Sequence, residues 1–115
     1  MLNLKNTLVI KPQYPVSLCF IWLHGLGVTG DDLKPLATDM SQYYQGSMHI
    51  IPTAPTRSVD LYQGQRVPAW YNIASADLLN NQDQEGIESS AKNIQQLIEQ
   101  QIEAGISSQN IFLVG

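Results

Sequence analysis

The sequence predicts an α/β fold with a mostly parallel sheet and flanking helices, and three observations support this prediction. Residues 16–23 are almost continuously apolar and lie between Pro15 and Gly25, a pattern typical of a strand buried on both faces. Residues 84–104 carry apolar side chains at helical spacing. Predicted strands and helices alternate along the chain, as they do around a parallel sheet. At 115 residues, the chain is expected to form one domain.

The first part of the chain contains further predicted elements on either side of this buried strand. Thr7–Ile10 is a short run of β-type residues. Residues 31–44 are predicted to form a helix, because Pro35 is tolerated in a first turn and one face is apolar. That face consists of Leu33, Leu36, Ala37, Met40 and either Tyr43 or Tyr44. Residues 48–51 follow as a short apolar strand.

The second part begins with a segment that has little periodicity. Residues 52–83 are predicted to be a long loop, of the kind that carries function or lacks order. The helix predicted at residues 84–104 has Asp83 as its N-cap and Gly105 as its stop signal. Ile111–Val114 is then another fully apolar strand.

Composition limits the classes of partner. Hydrophobic residues make up 43% of the chain and charged residues 14%, which is enough apolar material for a core. The net charge of −4 and the scattered lysines and arginines argue against nucleic acid or an anionic membrane as a partner. The single cysteine, Cys19, precludes an intramolecular disulfide and favours a reducing cytoplasm. We see no signal-peptide pattern at the start, and the longest apolar run, residues 16–23, is too short to cross a bilayer.

Gly25, Gly27 and Gly30 spell G-x-G-x-x-G between a predicted strand and a predicted helix. A dinucleotide-binding site has this spacing, but it also needs an acidic residue about 20 positions further on, and the strand at residues 48–51 is followed by none. Alternatively, the turn directs a backbone N–H toward a ligand oxygen, as in the oxyanion loop of α/β-hydrolases. It could also be a plain strand-to-helix turn that needs glycine conformations. Spacing alone does not separate the last two interpretations.

Five ordered segments carry a more specific signal. They are an H-G-L-G loop after the buried strand (16–27), P-T-A-P-T-R (52–57), P-A-W-Y-N-I (68–73), a long helix opening and closing on Gly-Ile (86–106), and I-F-L-V-G (111–115). In order and spacing, these segments resemble the carboxylesterase, lysophospholipase and acyl-protein thioesterase family of α/β-hydrolases. The resemblance covers nearly the whole chain and implies the N-terminal half of that fold.

The resemblance implies roles for the residues of two segments. The backbone N–H of Leu26 is expected to form one part of an oxyanion hole, with Gly25 and Gly27 shaping its loop. Trp70 and Tyr71 are expected either to line the substrate pocket or to pin the long loop to the core, and the resemblance favours neither over the other.

Several other polar residues are expected to be structural. His24 leads into the H-G-L-G loop, and the triad histidine of this fold follows the serine and the acid in chain order, so His24 is not the expected base. His49 has no acid or nucleophile near it in sequence. Arg57 is expected to anchor its loop through backbone carbonyls. Asn72 stands where the family usually has aspartate, so the contact made by that acid is expected to differ. The negative charges of Asp31 and Asp32 are expected to interact favourably with the dipole of the helix that they begin.

The resemblance places the catalytic residues of the family after Gly115, the last residue of the sequence. Gly115 matches the first glycine of the family's G-x-S-x-G motif, so the resemblance places the nucleophilic serine two residues later, and the acid and base beyond it. The implied activity is hydrolysis of small-molecule or lipid esters and thioesters, or of acylated proteins, without a cofactor or a metal. Residues 1–115 are expected to be a partial domain that is inactive alone and able to self-associate through an exposed sheet edge.

Three alternatives remain open at this point. The chain could be a truncated, non-catalytic remnant or an interaction module. It could belong to a dienelactone hydrolase-like enzyme, a neighbouring group on the same fold that normally uses cysteine as its nucleophile. It could also be a nucleotide-binding domain, if the glycine spacing were taken alone.

Overall fold

A computed structural model describes residues 6–75 and 82–115 and shows a mixed sheet with a helix on each face. The elements, in chain order, are β1 (Thr7–Ile10), β2 (Leu18–Trp22), α1 (Lys34–Tyr43), β3 (Ser47–Pro52), β4 (Thr56–Val59), β5 (Gln65–Pro68), α2 (Gln84–Glu103) and β6 (Ile111–Val114). Strands β1, β3, β2 and β6 form the main sheet in that spatial order, and β4 and β5 form a separate hairpin.

The main sheet is parallel at its centre. β2 pairs in parallel with both β3 and β6, whereas β1 pairs antiparallel with β3. Ile21 of β2 lies between Ile50 of β3 and Leu113 of β6. This arrangement confirms the predicted α/β class, and the parallel pairing brings the carboxyl ends of β2 and β6 to the same edge of the sheet.

Successive residues of β2 pack against different helices, since side chains alternate across a strand. Cys19 and Ile21 belong to a core cluster with Leu97 of α2, whereas Phe20 and Trp22 pack in a second cluster with Ala37 of α1. Burial raises the pKa of the Cys19 thiol to about 11, so this cysteine behaves as a small apolar core residue.

One strand and one helix start at different residues from those predicted. β2 begins at Leu18 rather than at residue 16. Val16 is exposed, and the Ser17 amide donates to the carbonyl of Gly46, which precedes β3. The segment predicted as one helix from residue 31 starts as a 3₁₀ turn over Gly30–Leu33, and α1 follows. Pro35 has no N–H to donate into that first turn, which favours the start of regular helix there.

The β4–β5 hairpin was not predicted and lies within the segment assigned as a loop, residues 52–83. Its strands, T-R-S-V and Q-R-V-P, lack the alternation of apolar residues that marks a half-buried strand. They are joined by a turn in which Gln63 and Gly64 both have positive φ angles, 57° and 83°. Residues 76–81 of the same segment lie outside the described part of the chain.

β3 carries a buried histidine inside a polar network. His49 is fully buried, and its Nδ1 accepts a hydrogen bond from Trp22 Nε1 at 3.0 Å. The neutral ring therefore carries its proton on Nε2, which donates to Ser47 Oγ at 2.9 Å. The ring also stacks on Phe20 at 5.1 Å. Burial lowers the pKa of His49 below its usual 6.5, so the folded state favours the neutral form.

This burial predicts an acid-sensitive fold. A histidine with a lowered folded pKa stabilises the protein above its unfolded pKa, and that stability is lost as pH falls below about 6.5. We expect the free energy of unfolding to decrease by up to about 1.4 kcal/mol per pH unit below that value. Urea denaturation at a series of pH values should show this slope in the unchanged chain and a smaller slope in His49→Gln. His24 is present in both proteins, so the difference between the slopes reports His49 alone. Equal slopes would contradict the assignment of the acid sensitivity to His49.

Candidate functional site

The segment following β2 makes a tight turn, residues 24–27, which we call the glycine turn. Gly27 has φ +80°, a conformation that favours glycine, and its amide donates to the Pro68 carbonyl at 3.3 Å. The Leu26 amide has no hydrogen-bond acceptor among residues 6–75 and 82–115. Leu26 is half-buried and lies at the carboxyl edge of the sheet. Its N–H is therefore a donor without an internal partner at that edge.

The imidazole of His24 is buried beneath the glycine turn, with 3% of its surface exposed. Its Nε2 accepts a hydrogen bond from the Ala54 amide at 2.9 Å, and its Nδ1 lies 2.7 Å from the Gly25 carbonyl oxygen. Both ring nitrogens are therefore engaged by the backbone.

Trp70 approaches the same turn from the segment after β5. Its indole Nε1 donates to the carbonyl of His24 at 2.9 Å, and the centre of its ring system lies 5.2 Å from that of the His24 ring. Tyr71 follows it and is half-buried. The indole hydrogen bond shows that Trp70 pins the long segment to the glycine turn.

Polar contacts from Ser90 and Asp83 hold the segment at residues 70–72 against the start of α2. Ser90 Oγ of α2 donates to the Trp70 carbonyl. The carboxylate of Asp83 accepts from the Asn72 amide at 2.8 Å and from the Gly86 amide at 3.0 Å, so one side chain caps α2 and holds this segment. The sequence identified Asp83 as a cap, but its second contact could not be read from the sequence pattern.

The Asp83 carboxylate has a lowered pKa. The main causes are the hydrogen bonds from the amides of Asn72 and Gly86, and the positive charge of Arg57 adds to them. Arg57 therefore acts electrostatically at the start of α2. Its Nε has no hydrogen-bond partner among the described residues, and the anchoring of its loop through backbone carbonyls stays a prediction.

Asn72 makes a reciprocal pair with Asp60 at the end of the hairpin. The Asp60 amide donates to Asn72 Oδ1 at 2.9 Å, and Asn72 Nδ2 donates to Asp60 Oδ2 at 3.0 Å. An ionised aspartate at position 72 would supply no donor and would face a second carboxylate. The asparagine is thus matched to Asp60.

Gly30, the last glycine of the G-x-G-x-x-G spacing, serves close packing. A Cβ at this position would lie 3.0 Å from the Ile51 carbonyl oxygen. The Gly30 amide donates to Thr53 Oγ1, and the Thr29 amide donates to the carboxylate of Asp32. The amides of Thr29 and Gly30 are therefore engaged, and a carboxylate lies beside them, which disfavours a pyrophosphate at this end of the loop.

Neither a membrane-spanning helix nor a metal-ligand cluster is evident in the part of the chain that the structure describes. No described helix combines the length and the apolar character needed to cross a bilayer. No three His, Cys, Asp or Glu side chains among the same residues are grouped to hold a metal ion.

The two glycines of the turn should respond differently to substitution. Gly27→Ala forces a side chain into a left-handed conformation beside Tyr62, and we expect it to lower the free energy of unfolding by about 1–2 kcal/mol. Gly25→Ala is the matched control, since no atom lies within 4 Å of its added Cβ and its φ is not strained. We expect that change to cost under about 0.5 kcal/mol. Urea denaturation followed by tryptophan fluorescence measures both, and equal losses would contradict the described turn.

Comparison with known proteins identifies the family. The profile of the Phospholipase/Carboxylesterase family matches residues 4–115. The chain is 33% identical over 116 residues to acyl-protein thioesterase 1 of Cryptococcus neoformans, covering 98% of this chain and 48% of the relative. It is 33% identical over 110 residues to acyl-protein thioesterase 1 of Schizosaccharomyces pombe, covering 96% and 49%. The crystal structure of Zea mays acyl-protein thioesterase 2 matches with a TM-score of 0.70 and 30% identity, covering 93% of this chain and 43% of that one.

The chain thus spans about half the length of the curated relatives it matches. Its sheet and helices correspond to the N-terminal portion of the α/β-hydrolase fold, which confirms the fold expected from the five ordered segments. From its matched profile and its relatives, the chain belongs to the Phospholipase/Carboxylesterase family.

Proposed function

We propose that residues 1–115 form one incomplete domain that supplies part of the active site of a serine hydrolase acting on carboxylic esters or thioesters. The observation that carries this proposal is the Leu26 amide, which has no acceptor among the described residues and lies between a Gly25 carbonyl held by the His24 ring and a Gly27 amide held by the Pro68 carbonyl. Its relatives are named acyl-protein thioesterases, and this favours acylated proteins among the substrates, together with small-molecule and lipid esters.

The role proposed for Leu26 follows from the chemistry of acyl transfer. Attack on a carbonyl carbon places negative charge on the carbonyl oxygen, and a fixed N–H donor stabilises that charge at little reorganisation cost. Removing one such donor typically lowers kcat by about 10²–10³ fold. The glycine turn offers this donor with no competing internal acceptor among the described residues.

The nucleophile would enter beside this donor. The Leu23 amide donates to the Val114 carbonyl at 2.8 Å, so the end of β6 runs alongside the start of the glycine turn. A side-chain carbon placed on Gly115 would lie 3.8 Å from the Cβ of Leu23. A serine two residues after Gly115, as the family motif has, would therefore emerge next to Leu26. Trp70 and Tyr71, on the segment that crosses this edge, are the proposed wall of the substrate pocket.

The proposed donor can be tested in a fusion enzyme, in which residues 1–115 are followed by the C-terminal part of the Schizosaccharomyces pombe acyl-protein thioesterase 1. Leu26→Pro removes the N–H, and we expect kcat for a p-nitrophenyl ester to fall by about 10²–10³ fold with little change in KM. Leu26→Ala keeps the N–H and is the matched control, expected to retain kcat within about tenfold. Circular dichroism verifies that both variants fold.

Two outcomes would contradict the proposal. Full activity in Leu26→Pro would show that the Leu26 N–H is not part of the oxyanion hole. Hydrolysis by residues 1–115 alone, above a control from host lysate, would show that catalysis does not need the serine expected after Gly115.

A second candidate function, an interaction module, is favoured by one feature of the sheet. Strand β6 pairs with β2 on one side and has no strand on its other side among the described residues, and Phe112 and Leu113 are 43% and 54% exposed. An apolar strand with a free edge can pair with another chain. We propose that isolated 1–115 self-associates through this edge.

A charge on this edge should weaken the association. In sedimentation velocity, we expect the unchanged chain to sediment as a dimer or larger species, and Leu113→Lys to shift it toward monomer. Leu36→Lys is the control, since Leu36 is equally exposed, at 54%, but lies on α1. A monodisperse monomer of the unchanged chain at high concentration would refute self-association, and equal effects of the two lysines would refute the β6 edge as its site.

We also infer a cytoplasmic location. The only cysteine is the buried, weakly acidic Cys19, so the fold makes no use of an oxidising compartment. The proposed acyl-transfer chemistry requires no cofactor.

A further inference from the structure

The peptide group between Gly25 and Leu26 joins the proposed donor to a carbonyl on the opposite side of the backbone. A trans peptide is planar, so its C=O and its N–H point in opposite directions. The Gly25 carbonyl and the Leu26 N–H belong to the same peptide group. Whatever holds the Gly25 carbonyl therefore also sets the direction of the Leu26 N–H.

The His24 ring holds that carbonyl. Its Nδ1 lies 2.7 Å from the Gly25 oxygen, and a carbonyl oxygen only accepts hydrogen bonds, so Nδ1 must carry the proton. Nε2 accepts from the Ala54 amide and so must be unprotonated. The two contacts together specify one neutral tautomer. The other tautomer would set lone pair against lone pair at Gly25 and N–H against N–H at Ala54.

The ring has little freedom to adopt another arrangement. Only 3% of the surface of His24 is exposed, so water cannot replace a lost partner without disrupting the core. Ala54, which orients Nε2, follows β3 and is 3% exposed. Trp70 packs against the ring and donates to the carbonyl of His24, which fixes the preceding peptide group as well. The imidazole thus connects the end of β3 to the glycine turn.

We infer that His24 is a positioning residue, which in its Nδ1–H tautomer directs the Leu26 N–H away from the fold and toward the reacting carbonyl oxygen. This inference rests on the proposed function of Leu26. It assigns His24 no proton transfer, since both of its ring nitrogens are engaged by the backbone. It also distinguishes the Nδ1 contact, which orients the donor, from the Nε2 contact, which anchors the ring.

Two variants separate these contacts. In His24→Asn, the side-chain amide nitrogen can occupy the place of Nδ1 and donate to Gly25, whereas the contact with Ala54 is lost. In His24→Gln, the longer side chain can place its oxygen near the position of Nε2 and accept from Ala54, whereas the contact with Gly25 is lost. A positioning role predicts rescue by asparagine, and a purely anchoring role predicts rescue by glutamine.

The first measurement needs no variant. In residues 1–115 labelled with ¹⁵N-histidine, the ring nitrogen shifts of His24 should report a proton on Nδ1. A proton on Nε2 would overturn the inference. Because this measurement does not depend on activity, its outcome is independent of whether the fusion enzyme hydrolyses esters.

The second measurement follows the donor itself. We expect the ¹H–¹⁵N signal of Leu26 to stay near its original position in His24→Asn and to shift or broaden in His24→Gln. In the fusion enzyme, kcat should fall by about 10- to 100-fold more in the glutamine variant than in the asparagine variant, with KM similar in both. The reverse order in either measurement would overturn the positioning role. Loss of activity in Leu26→Pro together with that reverse order would retain the proposed function and reject His24 as its positioning residue.

Discussion

The backbone of the glycine turn lies at the carboxyl edge of the main sheet, beyond the residues of β2 that pair with β3 and β6, so its hydrogen bonds come from other contacts. Backbone polar groups that are shielded from water are costly to leave without hydrogen bonds, and three groups of this turn are held by side chains or by the hairpin. The His24 carbonyl is held by Trp70, the Gly25 carbonyl by the His24 ring, and the Gly27 amide by Pro68. The Leu26 amide has no acceptor among the described residues. The contacts at Gly25 and Gly27 thus fix the backbone on either side of the proposed active-site donor.

The contacts that support the turn also stabilise the fold. Trp70 is held at its carbonyl by Ser90, and the adjoining Asn72 amide is held by Asp83, which also caps α2. The start of α2, the segment at residues 70–72 and the glycine turn therefore form one connected set of hydrogen bonds. A change at the start of α2 can be transmitted to the turn without touching it. The segment that crosses the turn consequently has a structural reason to be well ordered, as well as its proposed role beside the substrate.

Sequence patterns predicted the elements whose side chains are apolar at a regular period, and failed where the structure relies on polar contacts. β2, β6 and α2 were found because burial leaves a clear pattern in these segments, whereas the hairpin of β4 and β5 is mostly exposed and leaves none. The contact of His24 with Ala54 spans 30 positions, and that of Trp70 with His24 spans 46, so neither is visible in local spacing. Leu26 was reached through family resemblance, since a backbone donor has no side-chain signature. Asn72 could be seen to differ from the family, but its pairing with Asp60 required the structure.

The central claim is that the Leu26 N–H binds the developing oxyanion, and a crystal structure of the fusion enzyme with a phosphonate transition-state analogue tests it most directly. A phosphonyl group attached to the serine places an oxygen where the oxyanion would form. The account predicts that the Leu26 nitrogen lies about 2.7–3.1 Å from that oxygen, with the His24 ring still bound to the Gly25 carbonyl. A Leu26 N–H that is turned away from the analogue, or that is bonded to another acceptor, would contradict it.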